Sequence, residues 1–470
     1  MKRLSKVFCL LVYLLPLILF FSYYPVISFG ADSRMNFELS LPLIWLVVFD
    51  VIAGILMLKR KILFKRMRFG FLWLLLPLWL SLSVIWSLNN VRGILTVGIL
   101  WLIYFAGYGM WRLRDLYDEK FRIKFWKWFF GSALFMCGWC ILQCVLDVVG
   151  VSREYTLMCV GCTYKMFGFP HPNGFAIEPQ FMGNLLLAPA IMAIYFFIKK
   201  NEASKVRIFG LLAFAFVATL FLTFSRGAIY AFVVGLVFLL AFLLTKEKKN
   251  RGLVVKRVGK ACGIVIISFL FTLNLQGVMT AISPTNDNYV DGVAKVINHL
   301  SLGIIDIRGA EENVPEKDII FVSDEDDVDN DAVFDGYVAE STDIRMELTS
   351  SALETWSGDF RTMIIGVGLG GAGQAMYEKG LTDSPKEIVQ NQYASLLLES
   401  GIVGVILFVL TIVLVVRVLV KTKISGALFA LTVAYGVSLC FFAGLPNVLH
   451  IYLLLFMFGA FYKDYRDLRK

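Results

Sequence analysis

The sequence predicts an all-α fold, a polytopic transmembrane helical bundle of about 12 spans, and three observations carry that prediction. Hydrophobic residues make up 58% of the 470 and charged residues only 17%, whereas soluble chains average roughly 45–50% and about 25%. Apolar runs recur at close to the ~20 residues that cross about 30 Å of hydrocarbon, without the alternation that marks a membrane β-strand. Lysine and arginine gather in alternate inter-span segments. Lipid offers backbone N–H and C=O groups no partner, so such runs must be helical.

In chain order the spans fall at about 7–29, 39–58, 69–88, 91–111, 125–149, 179–198, 207–224, 227–245, 261–277, 391–416, 424–443 and 446–462. Pro16, Pro77 and Pro189 lie within spans, where neighbouring helices can re-satisfy the freed backbone groups. With the N-terminus cytoplasmic, 33 of the 45 basic residues occupy inner segments, and seven of the rest sit in one long loop. Short outer segments keep Arg34, Arg92, Arg153, Lys165 and Arg226. The net charge of +9 therefore reads as a topology signal and a contact with anionic lipid, not as a nucleic-acid footprint. Both termini fall inside. A basic start and Ser28-Phe29-Gly30 before Ala31 resemble a cleavable leader, but the apolar stretch exceeds the usual 7–15 residues or so. An uncleaved helix is favoured, and cleavage would move no other segment to the opposite side.

The chain thus divides into helices one to nine over 1–277, an extracytoplasmic loop over 278–390 between spans nine and ten, and helices ten to twelve over 391–470. A loop that long inside a membrane domain is usually functional. Its first half carries an acidic tract, 311–343, which reads as a solvated mobile segment. The run 324–331 looks calcium-like, but from Asp327 the sixth position is Ala332 and the twelfth Val338, where an EF-hand needs glycine and glutamate. In the second half, Met346, Leu348, Ala352, Leu353 and Trp356 predict an amphipathic helix over 345–356. The glycine run 366–371 follows without the strand–turn–helix unit that a dinucleotide site requires, so it reads as a tight turn with close backbone approach.

Four outer features are candidates for chemistry. Thr223-Phe224-Ser225-Arg226-Gly227-Ala228 joins two spans with almost no loop and puts an arginine at the edge of the hydrocarbon. A charge so placed is a functional candidate by default, and the competing reading is an arginine snorkelling to lipid headgroups. The turn-rich stretch 168–179 offers His171 and Glu178, a possible base or acceptor contact, with an incidental histidine as the alternative. Gln390, Asn391 and Glu399 bring amides and a carboxylate into the start of the tenth span, where they are costly unless they face a cavity or partner. Eight scattered cysteines make no disulfide framework. Cys159 and Cys162 lack the second pair a zinc site needs, leaving a local disulfide or plain small residues. Cys137, Cys140 and Cys144 share one helix face and read as packing.

The Ser225–Ala228 hairpin, the long loop after about nine spans, the helix opened by Arg345, the glycine run and the Asn-x-Tyr…Leu-x-Glu-x-Gly-Ile-x-Gly stretch at 391–404 together resemble the O-antigen ligase and O-antigen polymerase superfamily. The resemblance implies a bacterial inner-membrane glycosyltransferase for polysaccharide of the cell envelope. It implies transfer of a saccharide from an undecaprenyl-pyrophosphate donor to a sugar hydroxyl, with no metal and no cofactor. Arg226 and Arg345 take the roles of the family's pyrophosphate-binding arginines, and the two are expected to meet over one cavity at the outer leaflet. Ligases of the family place a His-Asn pair before the Leu-x-Glu-x-Gly stretch, its histidine the proposed base; here the pair is Gln390-Asn391. That departure argues against a ligase using this base and favours a polymerase. It leaves Glu399, Glu178 and His171 as candidates for the missing role. Partners are the lipid-linked donor, a saccharide acceptor, the bilayer and other polysaccharide-assembly proteins. A ligase acting on lipid A–core is the alternative within the family.

The rival from another class is a transporter or flippase, whose polar site would lie near mid-depth. Asp50 and Asp147 read as lying near span ends, and the polar residues cluster at the outer face, which favours surface chemistry.

Overall fold

The computed structural model describes residues 2–22, 25–29, 37–63, 70–159, 162–164, 168–246, 251–283, 288–301, 305, 330–419, 422 and 424–442. Among them nine helices are long and apolar enough to cross a membrane, and the fold is an all-α polytopic helical bundle. The chain forms two compact units, one of 1–129, 233–243 and 345–470, the other of 130–232 and 244–344.

In the first unit, α1 (Lys2–Phe20) ends before Pro25 rather than running to residue 29, because the chain turns into a hairpin of β1 (Pro25–Phe29) and β2 (Phe37–Ser40). Proline early in α2 (Leu41–Lys59) suits a position whose N–H has no helical acceptor. α1 and α2 meet through Phe8 and Phe49, ring centroids 5.2 Å apart, and through Trp45 donating to Leu11 O at 3.1 Å. Asp50 corrects the expectation of a charge near a span end: it is the tenth of nineteen residues in α2 and is buried. The predicted third span becomes a short α3 (Leu75–Ser83) flanked by 3₁₀ turns. The Asn89 side chain caps α4 (Asn90–Arg112) by accepting from Arg92 N at 3.1 Å.

α5 (Glu119–Val148) starts on an aspartate cap, Asp118 accepting from Phe121 N at 2.7 Å. The short α6 (Arg153–Thr156) follows. In the second unit α7 (Pro179–Lys199) is the central element, 94% of its apolar window being buried, with α8 (Ala203–Leu222) and α10 (Arg251–Ile282) packed on it. α9 (Arg226–Lys246) follows α8 after three residues. Asn288 and Asp291 form a capping box that starts α11 (Tyr289–Leu300), which lies against α10.

α12 (Asn330–Ser357) begins fifteen residues before the helix that the apolar spacing predicts. A nucleated helix extends cheaply, one hydrogen bond per residue ordered, so part of the tract read as mobile is helical. Then come α13 (Phe360–Ile365), α14 (Ala372–Glu378), α15 (Gln392–Leu419) and α16 (Ser425–Ser438). The calcium-like run 324–331 lies outside the described residues except at its last two positions, and the span at 446–462 lies wholly outside them.

Candidate active site

The α8–α9 hairpin is closed by its own side chains. Thr223 Oγ1 donates to Leu220 O at 2.7 Å, and Ser225 Oγ accepts from Ala228 N at 3.4 Å. Between them Phe224 has φ +47°, a left-handed conformation that costs a non-glycine residue of order 1–3 kcal/mol. What fixes it is tertiary: its ring is buried edge-on to Phe169 at 4.9 Å, and its carbonyl accepts a hydrogen bond from His299 Nε2 at 3.0 Å. Gly183 of α7 lets the hairpin approach, since a Cβ there would come within 2.6 Å of Ala228 Cβ. Arg226 is consequently the first residue of α9, half-buried at the positive end of that helix.

The loop 168–174 is held beside the hairpin by backbone contacts. His171 N donates to Cys162 O at 3.0 Å, and Cys162 is disulfide-bonded to Cys159. Gln276 Nε2 donates to Pro170 O at 3.1 Å. The buried Gln143 clamps Gly174 from both sides, accepting from its N–H at 2.9 Å and donating to its carbonyl at 3.0 Å. The His171 ring stacks on Phe169 at 5.1 Å and lies 6.0 Å from the His299 ring. One helical turn before His299, Lys295 is fully buried, and a Cβ on Gly168 of the loop would come within 3.3 Å of its Cδ.

Burial pushes the His171 imidazole well below its usual range, and His299 adds to the effect. His299 is pushed down to about 3 by burial and then by the Arg226 charge, against the pull of its bond to Phe224. Both rings are therefore neutral near pH 7. The second unit thus gathers a guanidinium, a buried ammonium and two neutral imidazoles around one hairpin, a set suited to an anion with a proton acceptor close by. Glu178 is exposed at the start of α7, with no side-chain hydrogen bond to a described residue.

The other predicted site residues belong to the first unit. Arg345 is half-buried on α12, on the stripe that Leu348 and Ala352 continue. Ala352 packs in a cluster with Ala372, Met376, Val389, Ala394 and Leu398. Gln390 is half-buried just ahead of α15. Asn391 caps that helix, its Oδ1 accepting from Tyr393 N at 3.0 Å and Ala394 N at 3.2 Å. α15 then breaks at Gly401, whose φ of 66° and ψ of −171° are open to glycine alone. The carbonyls around the break find other donors: Val367 N on Leu398 O at 2.9 Å, Gly368 N on Glu399 O at 3.0 Å, and Trp79 Nε1 on Ser400 O at 3.1 Å. The Glu399 carboxylate accepts from Gly370 N at 3.0 Å and from Ala372 N, with Arg92 acting on it electrostatically. The glycine run is glycine because backbone meets backbone there; a Cβ at Gly366 would run into the Glu399 carbonyl group.

Gln390, Asn391 and Glu399 are therefore neighbours along one helix start, while Arg226 and His171 share the hairpin of the other unit. Sequence reasoning missed Lys295, His299 and Arg92. The Asn288-x-x-Asp291 box was the signal that could have revealed α11. Among the described residues, no three of His, Cys, Asp or Glu gather as a metal site.

Nine long apolar helices among the described residues mark a multi-pass membrane protein. Residues 209–409 match a family model described as O-antigen ligase. Over that segment the chain is similar to the O-antigen ligase family. The matched segment includes Arg226, Arg345, Gln390, Asn391 and Glu399; His171 and Glu178 precede it. No curated protein matches the chain.

Proposed function

We propose that this protein moves a saccharide from an undecaprenyl-pyrophosphate-linked donor onto a sugar hydroxyl at the outer face of the cytoplasmic membrane, as a polymerase of repeat units. The observation that carries the reading is Arg226, fixed at the first position of α9 by a strained hairpin inside the family-matched segment. Departure of a diphosphate leaves negative charge on its oxygens in the transition state. A guanidinium is always ionised and forked, and it neutralises such charge through paired N–H donors. A charge-assisted contact contributes about 1.5–3 kcal/mol. Arg226 supplies such contacts without a divalent cation. The polymerase is favoured over the ligase because Gln390 stands where a ligase would carry its histidine. Asn391 and Glu399 act indirectly, by setting the start and the break of α15.

The test is lipid-linked saccharide profiling in a strain deleted for this gene. Accumulated single repeat units support a polymerase, accumulated long lipid-linked polymer supports the ligase, and an unaltered profile refutes both.

A further inference from the structure

Glycosyl transfer from a diphosphate donor releases the acceptor's proton, and His299 stands beside the candidate donor-binding arginine. We infer that His299 is the group that takes this proton, through Nδ1, once a donor diphosphate occupies the Arg226 end of α9. The inference rests on the proposed glycosyl transfer and assigns a residue within it.

The ring's orientation and tautomer follow from one bond. A carbonyl oxygen can only accept, so the 3.0 Å contact with Phe224 O requires Nε2 to carry the hydrogen. The lone pair then sits on Nδ1. The orienting carbonyl belongs to the strained residue two positions before Arg226. A base held by a third group, next to the residue that binds the leaving group, is the arrangement that proton transfer in displacement chemistry needs. Phe169 closes the ring's flank at 5.9 Å and 69°, and His299 is 5% exposed.

The charges facing His299 decide when it acts. Among the described residues they are Arg226 on α9 and the neutral His171 on the loop, while Lys295 lies one turn back on the same helix. With the site empty, burial and Arg226 keep the imidazole weakly basic. A diphosphate on Arg226 cancels that charge and adds negative charge nearby, which favours the imidazolium. Proton uptake is thereby tied to donor binding. In the step, the acceptor oxygen's electron pair forms the bond to the donor's anomeric carbon. The bond from that carbon to the phosphate oxygen breaks, its electrons leaving on undecaprenyl pyrophosphate. The hydroxyl proton goes to Nδ1 and is passed on to the departing diphosphate.

The test uses the full-length protein in lipid nanodiscs, with lipid-linked repeat units extracted from the deletion strain as donor and acceptor. His299→Gln places an amide N–H where Nε2 stands, so the bond to Phe224 survives while the basic nitrogen is lost. We expect turnover to fall by about 10²–10⁴-fold, with binding of undecaprenyl pyrophosphate unchanged, and His299→Ala to regain turnover when imidazole is added. Wild-type turnover in His299→Gln overturns the role of His299 while leaving the proposed function standing. Loss of undecaprenyl pyrophosphate binding along with turnover overturns it too, assigning His299 to structure or donor binding. Failure of the wild-type protein to transfer saccharide would refute the underlying reading itself.

Discussion

His299 donates its Nε2 hydrogen to the carbonyl oxygen of Phe224 at 3.0 Å, joining a helix that follows α10 to the hairpin that starts α9. The bond explains why a phenylalanine persists at φ +47°, and it places an imidazole beside Arg226.

The same two histidines make stability depend on pH. A ring whose folded value is lowered binds fewer protons than in the unfolded chain, so folding loses stability as pH falls below the unfolded value near 6.5. For His299, pushed to about 3, the loss between neutrality and pH 5 is about 2 kcal/mol. We expect the melting temperature in detergent to drop from pH 7 to pH 5, and the drop to shrink in His299→Gln. An equal drop in that variant would contradict the assignment.

Glu399 holds a backbone turn, and its two variants should separate. Glu399→Gln keeps an oxygen for Gly370 N and should retain most turnover. Glu399→Leu leaves buried N–H groups without an acceptor, at about 1–3 kcal/mol, and should lower the melting temperature. A stable but inactive Glu399→Gln would instead place the carboxylate in the chemistry.

Gly401→Ala should destabilise by about 1–3 kcal/mol from backbone strain alone, and its Cβ would also meet Ile364 O. Folded protein recovered after extraction is the measure. Unchanged recovery would mean that the break in α15 is not fixed by this residue.

Under the proposed role of Arg226, whose guanidinium would carry the diphosphate charge, chelation should leave turnover unchanged. Loss of turnover with EDTA, restored by Mg²⁺ or Ca²⁺, would give a cation that role.

The order of the spans and the odd position of Arg226 were legible because hydrophobic length and charge placement are local properties. What Asn391, Glu399 and the glycine run do was not. Their partners, from Ala394 to Gly370 and the Glu399 carbonyl, are set by where the chain folds back on itself. α11 escaped notice because twelve residues bearing a lysine read as soluble loop, and lysine is almost never fully buried unless paired. Asp50 was misplaced although the predicted span 39–58 already put it near the middle, where the helix Leu41–Lys59 holds it.

The most direct measurement compares undecaprenyl pyrophosphate binding and saccharide transfer by wild-type protein, Arg226→Ala and Arg226→Lys in nanodiscs. We expect both variants to remain folded and to lose transfer by at least about 100-fold, the scale of one charge-assisted contact near 3 kcal/mol, with the lysine little better than the alanine because it lacks the fork. Full transfer by Arg226→Lys would contradict the paired contact, and full transfer by Arg226→Ala would remove the hairpin from the active site.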